Sequence, residues 1–474
     1  MSSLDLQHTD AHGNPTSGPS DAVERYDAAL DRLLRYHPDV VGVTASLVEN
    51  EPDFAMGHVL MAYLCLTSTD TPDLASAQAA AAALDRVELN ERETAHRAAI
   101  GAWLGGDWHG AARRLDALLI RWPADLLALL VGHLLDFFVG DAANLRDRVG
   151  RSLGAVDRDH PHHGFVQGMY AFGLEESGHY ELAEAYGHAA VGINPDDVWA
   201  IHAVVHTYEM RGLIDTGIRF LRDREKDWAK DNLFTVHNWW HLALYHLEAE
   251  RPSDSLAIYD SQVHHELSAG VPLEMLDASA LLWRLLLDGV DTGGRFATLA
   301  DAWATRTSDE PWYAFNDLHA VMALSGAGRI GDARSVVDKL DRYVKSGGSR
   351  NNGSNVAMTA EVGLPASRAT VAFVEGRHAD VVGELAPIRA RFQRFGGSHA
   401  QRDVLQRTLL ESAILSGQLE LARALVRERL AARQSSVYTL RRHAAILRRN
   451  GDSGTATVVD TSATANRDRF AAAV

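Results

Sequence analysis

The feature that most constrains this chain is a two-helix grammar that returns along it. Each unit has an apolar helical run, a short turn carrying glycine, and a second helical run with alanine at its points of close approach. From Gly164 to Asp197, Ala183 and Ala190 stand at the small-residue positions of the second helix. Gly178 marks the turn before His179 and Tyr180, and Pro195 ends the unit. From Arg92 to Asp125 the wording returns, with Ala99 and Ala111 as small residues, Gly105-Gly106-Asp107 as the turn and Pro123 as the stop. Two helices approach closely only where side chains are short, so alanine at these places is a packing requirement. A unit of about 34 residues that cannot cover its own apolar face must stack on neighbours.

This wording is that of the tetratricopeptide repeat, with one departure: Gly187 stands where the pattern has an aromatic residue. Weaker hairpins follow. Leu318 to Leu324 and Ala333 to Val344 flank Gly326-Ala327-Gly328-Arg329. Thr370 to Val374 and Ala379 to Phe392 flank Glu375-Gly376-Arg377-His378, and Leu409 to Leu415 and Leu419 to Leu430 flank Ser416-Gly417-Gln418. The expected fold is all-α, an α-α superhelix (solenoid) of divergent tetratricopeptide-type hairpins, continuous over residues 21–450. Alanine and leucine dominate and only 13 prolines occur, so no strand is expected. Residues 1–20 and 451–474 read as disordered or flexible tails, and Ser346 to Ser354 as an irregular loop.

The chain has 474 residues, 46% of them hydrophobic, enough for a large core. Lys+Arg number 46 against 63 Asp+Glu, a net charge of -17 that disfavours nucleic acid and anionic membranes as partners. No signal-peptide-like or membrane-spanning apolar run is present, so a cytoplasmic location is expected. The single cysteine, Cys65, lies in an apolar run and reads as core, which excludes an internal disulfide or a cysteine-based zinc site.

What a plain scaffold does not require is the arrangement of the 23 histidines. His202, His206 and Glu209 fall at i, i+4 and i+7, one face of a helix. His237, His241, Tyr245 and Glu248 form a second stripe beside Trp239 and Trp240. Asp317 and His319 open a third helix. Gly396 and Gly397 precede Ser398, a good N-cap, with His399, Gln401 and Arg402 behind it, where backbone amides and a guanidinium fork suit an anion.

Each cluster has a plainer reading as well: packing for the His pairs, a helix cap for Asp317, an ordinary helix start at Ser398, a solvated helix end for Glu175-Glu176. The His237/His241 spacing is half of a zinc site, but Asn238 stands where a metalloprotease helix carries its general base. A third ligand has to come from His206, Glu209, Asp317 or His319. No metal site and no cofactor are assigned. Taken together, the clusters predict a small-molecule site inside the superhelix. His206, Glu209, His237, His241, Asp317 and His319 are its catalytic candidates. His202, Trp240, Tyr245, Ser398, His399, Gln401 and Arg402 are its binding candidates. His241 or His206 is the expected base, oriented by Asp317 or Glu209. Ser279 and Ser398 sit in no nucleophile motif, so the reaction, if any, stays open. The alternative is an adaptor that binds a peptide or protein partner in the concave groove. Oligomeric state, homo-oligomers included, is not readable from the sequence.

The same segments carry a family resemblance. Met169 to Glu176, His202 to Glu209, His237 to Glu248, Asp277 to Leu285, Phe315 to Ala323, Gly363-Leu364-Pro365 and Gly396 to Val404 resemble, in order and wording, the tetratricopeptide repeat protein 38 family, as a bacterial member. The resemblance covers roughly residues 40–450 and implies an all-helical repeat fold. The family carries no settled activity, so it implies no catalytic residues.

Overall fold

The computed structural model describes residues 7–264, 270–348 and 353–473. Residues 1–6 and 474 of the expected tails, and residues 349–352 of the expected loop, lie outside the described residues. Among the described residues, β1 (Gln7–Thr9) and β2 (Pro15–Ser17) come first and every later element is helical. The helices are α1 (Ser20–Leu34), α2 (Val40–Asn50), α3 (Ala55–Thr67), α4 (Leu74–Leu84), α5 (Glu91–Leu104), α6 (Trp108–Arg121), α7 (Leu126–Val139), α8 (Ala142–Ser152), α9 (His162–Glu176), α10 (Tyr180–Ile193), α11 (Val198–Arg211), α12 (Ile214–Asp223) and α13 (Glu225–Trp228). They continue as α14 (Thr235–Glu248), α15 (Pro252–Ile258), α16 (Pro272–Leu287), α17 (Arg295–Ala304), α18 (Ala314–Gly326), α19 (Ile330–Ser346), α20 (Ser354–Met358), α21 (Leu364–Val374), α22 (His378–Leu385), α23 (His399–Leu415), α24 (Leu419–Ala432), α25 (Val437–Arg449) and α26 (Ser453–Ala471). No helix among the described residues is long and apolar enough to cross a membrane.

The chain packs as two compact units. Unit 1 takes Met1–Val204, Asp227–Thr235 and Val344–Met358, and unit 2 takes Val205–Lys226, Val236–Tyr343 and Thr359–Val474. Within each, consecutive helices form antiparallel hairpins that stack on the next: α3–α4, α5–α6, α7–α8 and α9–α10 in unit 1, and α17–α18, α21–α22, α23–α24 and α25–α26 in unit 2. The fold is all-α and of the tetratricopeptide type.

The expected hairpins are all present. Their turn glycines take the left-handed conformation that side chains disfavour: Gly106, Gly178, Gly328, Gly376 and Gly417 all have φ between 73° and 88°. Ala99, Ala111, Ala183 and Ala190 are buried between helices. Gly187, the departure from the pattern, is explained by proximity. A Cβ there lies 2.5 Å from Val204 Cγ2, so α11 packs where an aromatic side chain has no room.

Three expectations are corrected. The amino-terminal segment is a short antiparallel hairpin in which Gln7 faces Ser17, not an unstructured tail. Its binding energy comes from distant residues: Arg92 bonds Asp10 at 3.0 Å and reaches the Pro15 carbonyl and Thr16, while Glu93 accepts from the Ser17 amide at 2.8 Å. The carboxy-terminal segment is helix α26, capped by Asp452 and seated on α25 through Ala456, Ala463 and Phe470, spaced by seven. Glu175 and Glu176 are buried, not a solvated end. Their helix α9 is flanked by α8 and α10, and Gly173 lets its backbone approach Arg146 and Leu145 closely.

Candidate functional site

The site is built in unit 2, where α11, α14 and α16 present polar side chains to one another. Helix α14 is apolar on nearly all sides and therefore buried, so its polar residues need partners inside the protein. Tyr245 donates its hydroxyl to the Val205 carbonyl at 2.6 Å, which ties α14 to α11. His237 and His241 lie one turn apart on α14 with ring centres 4.8 Å apart. The His206 ring meets that of His241 edge-on at 4.5 Å. One nitrogen from each of these three imidazoles lies within 4.8 Å of the others.

Two carboxylates hold two of the rings. Asp277 of α16 bonds His237 Nδ1 at 2.7 Å, and Glu209 of α11 bonds His241 Nδ1 at 3.3 Å. A carboxylate on Nδ1 fixes the tautomer with its proton there and leaves Nε2 as the basic nitrogen. His237 is also stacked on Trp240, with ring planes 17° apart, and keeps 14% of its side chain exposed. His206 and His241 are fully buried. Burial, then His237 and Arg284, push the His241 imidazole well below its ordinary range, so it stays neutral at neutral pH.

Behind the imidazoles lies a charged network. Asp403 of α23 accepts from Arg407 at 2.8 Å, Arg429 at 2.6 Å and Arg433 at 3.3 Å, while Glu209 meets Arg433 at 3.5 Å. Three guanidiniums hold Asp403 well below the usual carboxylate range. A cavity of about 20 Å³, room for a water, is lined by Glu209, Tyr245, Glu248, Arg284, Arg407 and Arg433 among others. Arg284 differs from the other arginines. It is 1% exposed, lies 5.4 Å from the Trp240 ring centre and donates to the carbonyls of Ala280, Ala400 and Gln401, with no carboxylate in hydrogen-bond reach among the described residues. Burial pushes it down to about 10, which still leaves it cationic at neutral pH.

Arg284 also links the remaining clusters. The start of α23 lies beside α18, where a Cβ on Gly397 falls 2.5 Å from the Phe315 ring. Ser398 caps α23 as expected, but in a complete capping box: its hydroxyl accepts from the Gln401 amide, and Gln401 Oε1 accepts from the Ser398 amide. The Ser398 and Gln401 amides are thus used within the capping box. Arg402 turns its guanidinium onto the Gly397 carbonyl. His399, half-buried, is the first residue of α23. His319 is a core histidine, bonded to the Phe315 carbonyl at 2.7 Å and pushed down to about 4 by burial. Asp317 is not a cap. Tyr313 occupies the N-cap of α18, Asp317 Oδ2 is buried without a hydrogen-bond partner, and burial pushes the carboxyl up to about 7. His202 lies in unit 1, packed against Trp199, Phe172 and Phe234.

The structure therefore joins His206, Glu209, His237, His241 and Trp240 in one place and gives Tyr245 and Ser398 structural duties. Two members of the site were missed, Asp277 and Arg284. Both lie in the Asp277 to Leu285 segment that carries the family resemblance, and each is a charged residue inside a largely apolar helix.

No family model matches the chain. Among solved structures it is similar to the human IFIT1 dimer with PPP-AAAA, at 10% identity over 94% of this chain and 90% of that chain, with a TM-score of 0.36. It is similar to yeast Tom70 at 10% identity over 95% and 96%, with a TM-score of 0.34. It is also similar to the P58(IPK) TPR domain, at 10% identity over 81% and 97%, with a TM-score of 0.21.

Proposed function

We propose that this chain is a repeat-scaffold binding protein whose second unit takes a small ligand, of carboxylate or phosphate type, at the His206–His237–His241 cluster. One observation carries the reading: two imidazole–carboxylate pairs, His237–Asp277 and His241–Glu209, stand side by side in a buried setting that also holds the buried Arg284 guanidinium. Hairpin packing requires none of these groups, and fixed donors beside apolar walls are what a small-molecule site consists of. His237, with 14% of its side chain exposed, marks the entry. If the ligand is turned over, His237 held by Asp277 is the base in position to act. His241 is fully buried, and burial holds its imidazole neutral at neutral pH. Arg284 takes the anion-holding role first given to Arg402.

The chain is further proposed to be a bacterial member of the tetratricopeptide repeat protein 38 family. Helices α16, α18, α21 and α23, which hold four of the segments that carry the resemblance or adjoin them, pack on one another in unit 2.

The test is a thermal-shift screen of the purified chain against small carboxylates and phosphate esters, repeated on His241→Ala. A ligand at 100 times its Kd stabilises by about 2.7 kcal/mol, and the variant is expected to lose that shift. A panel that moves neither protein, or moves both equally, overturns the reading and returns the chain to the peptide-binding alternative.

A further inference from the structure

The three imidazoles that converge in unit 2 have the composition of a metal centre. His206 comes from α11, and His237 and His241 from α14 at the i, i+4 spacing that places two ligands on one helical face. His206 supplies the third ligand that this spacing lacks by itself. One nitrogen from each lies within 4.8 Å of the others. A tetrahedral ion with bonds of 2.0–2.1 Å needs about 3.3 Å between ligating nitrogens, so small rotations of three side chains complete the set. The surrounding groups point the same way. Metal-ligating histidines characteristically donate their second nitrogen to a carboxylate, which fixes the tautomer and raises basicity. Asp277 does this for His237 at 2.7 Å, and Glu209 for His241 at 3.3 Å. Glu209 is itself steadied by Arg433 at 3.5 Å. Three nitrogen ligands without a thiolate suit zinc and its first-row neighbours, and three protein ligands leave a fourth position for water or a bound molecule.

We propose that His206, His237 and His241 bind one divalent transition-metal ion of the zinc class, with Asp277 and Glu209 as the positioning carboxylates. The proposal deepens the ligand-site reading above and rests on it for the fourth position. An anionic ligand then binds the ion directly, with His237 as a ligand and not the base.

The test uses the full chain, stripped with a chelator and titrated with zinc, followed by metal analysis after desalting. Cobalt(II) in place of zinc gives an intense visible band when four-coordinate. One ion per chain and that band are expected for the wild type. His206→Ala and His237→Ala are expected to lose both. Asp277→Asn, which keeps the side-chain shape, is expected to bind about 10- to 100-fold more weakly with an unchanged circular dichroism spectrum. Absence of the ion from the wild type overturns the proposal. So does one ion per chain that persists in folded His206→Ala or His237→Ala, since the ion then sits elsewhere, as at the His12, His160 and His162 group of unit 1. Ligand-induced thermal shifts on the stripped protein are read separately, so failure of the metal site and failure of the small-molecule site are distinguishable.

Discussion

Removing Arg92 is expected to release the amino-terminal hairpin. The Arg92 guanidinium, 1% exposed, bonds Asp125 at 2.6 Å and Asp10 at 3.0 Å and donates to the Pro15 carbonyl and Thr16 hydroxyl. Asp125 also accepts from His96 at 2.9 Å and caps α7 through the Ala128 amide. Arg92→Ala leaves two carboxylates, 1% and 0% exposed, without their cation. Breaking a buried pair from one side costs about 3–5 kcal/mol. That corresponds to roughly two to three and a half decades in the equilibrium for local opening. Hydrogen exchange read by mass spectrometry over residues 7–17 measures the opening without requiring the two units to unfold together. Exchange in this segment is expected to accelerate by that factor, while α25 and α26 of unit 2 are unaffected. The triple variant Arg92→Met, Asp10→Asn, Asp125→Asn recovers most of the loss, because no charge is left uncompensated. Exchange in Arg92→Ala within tenfold of the wild type refutes the assignment of Arg92 as the clamp.

Three further outcomes follow from the packing. Burial pushes His133 down to about 3 and His319 down to about 4, both below the ordinary 6.5. The unfolded chain therefore binds more protons, and the stability from each neutral ring is complete above pH 6.5 and lost as pH falls toward 4. Thermal melts from pH 7 to 4 should show a steep drop, of which His319→Gln removes a part. Gly187→Leu places a side chain against Val204 and is expected to cost about 1–3 kcal/mol, read as a lower melting temperature. Ser398→Ala removes one half of a capping box and is expected to cost about 1 kcal/mol. It should leave any thermal shift by a small anion intact, which separates a cap from a ligand contact.

The hairpins were legible because their determinants are local: glycine at a positive-φ turn and alanine where helices cross. The terminal segments were not. Residues 7–17 are rich in turn-forming residues, and partners distant in sequence, among them Arg92, Glu93 and Ala124, make them ordered. Helix α26 is short of large apolar residues, and its register becomes clear only against α25. The site divided the same way. The His237–His241 stripe shows in its spacing, but its meaning depends on Asp277, 40 residues on, and on Glu209, 32 residues back. Arg284, a buried cation in the largely apolar helix α16, reads as an anomaly until Trp240 and the start of α23 surround it.

The clamp on the amino-terminal hairpin has a consequence for the order of events during synthesis. Asn14 bonds the Ala124 carbonyl across 110 residues, and Ser17 bonds Glu93 across 76. At about 5–20 residues per second, the ribosome needs roughly 5–20 seconds to deliver the far partner after the near one. Helices α1 to α4 emerge and pair with neighbours at once, because their contacts are local. The strands, made before them, find their acceptors only when α5 and the turn into α7 have left the tunnel. For that interval the strands lack their acceptors and are open to any protease or chaperone nearby.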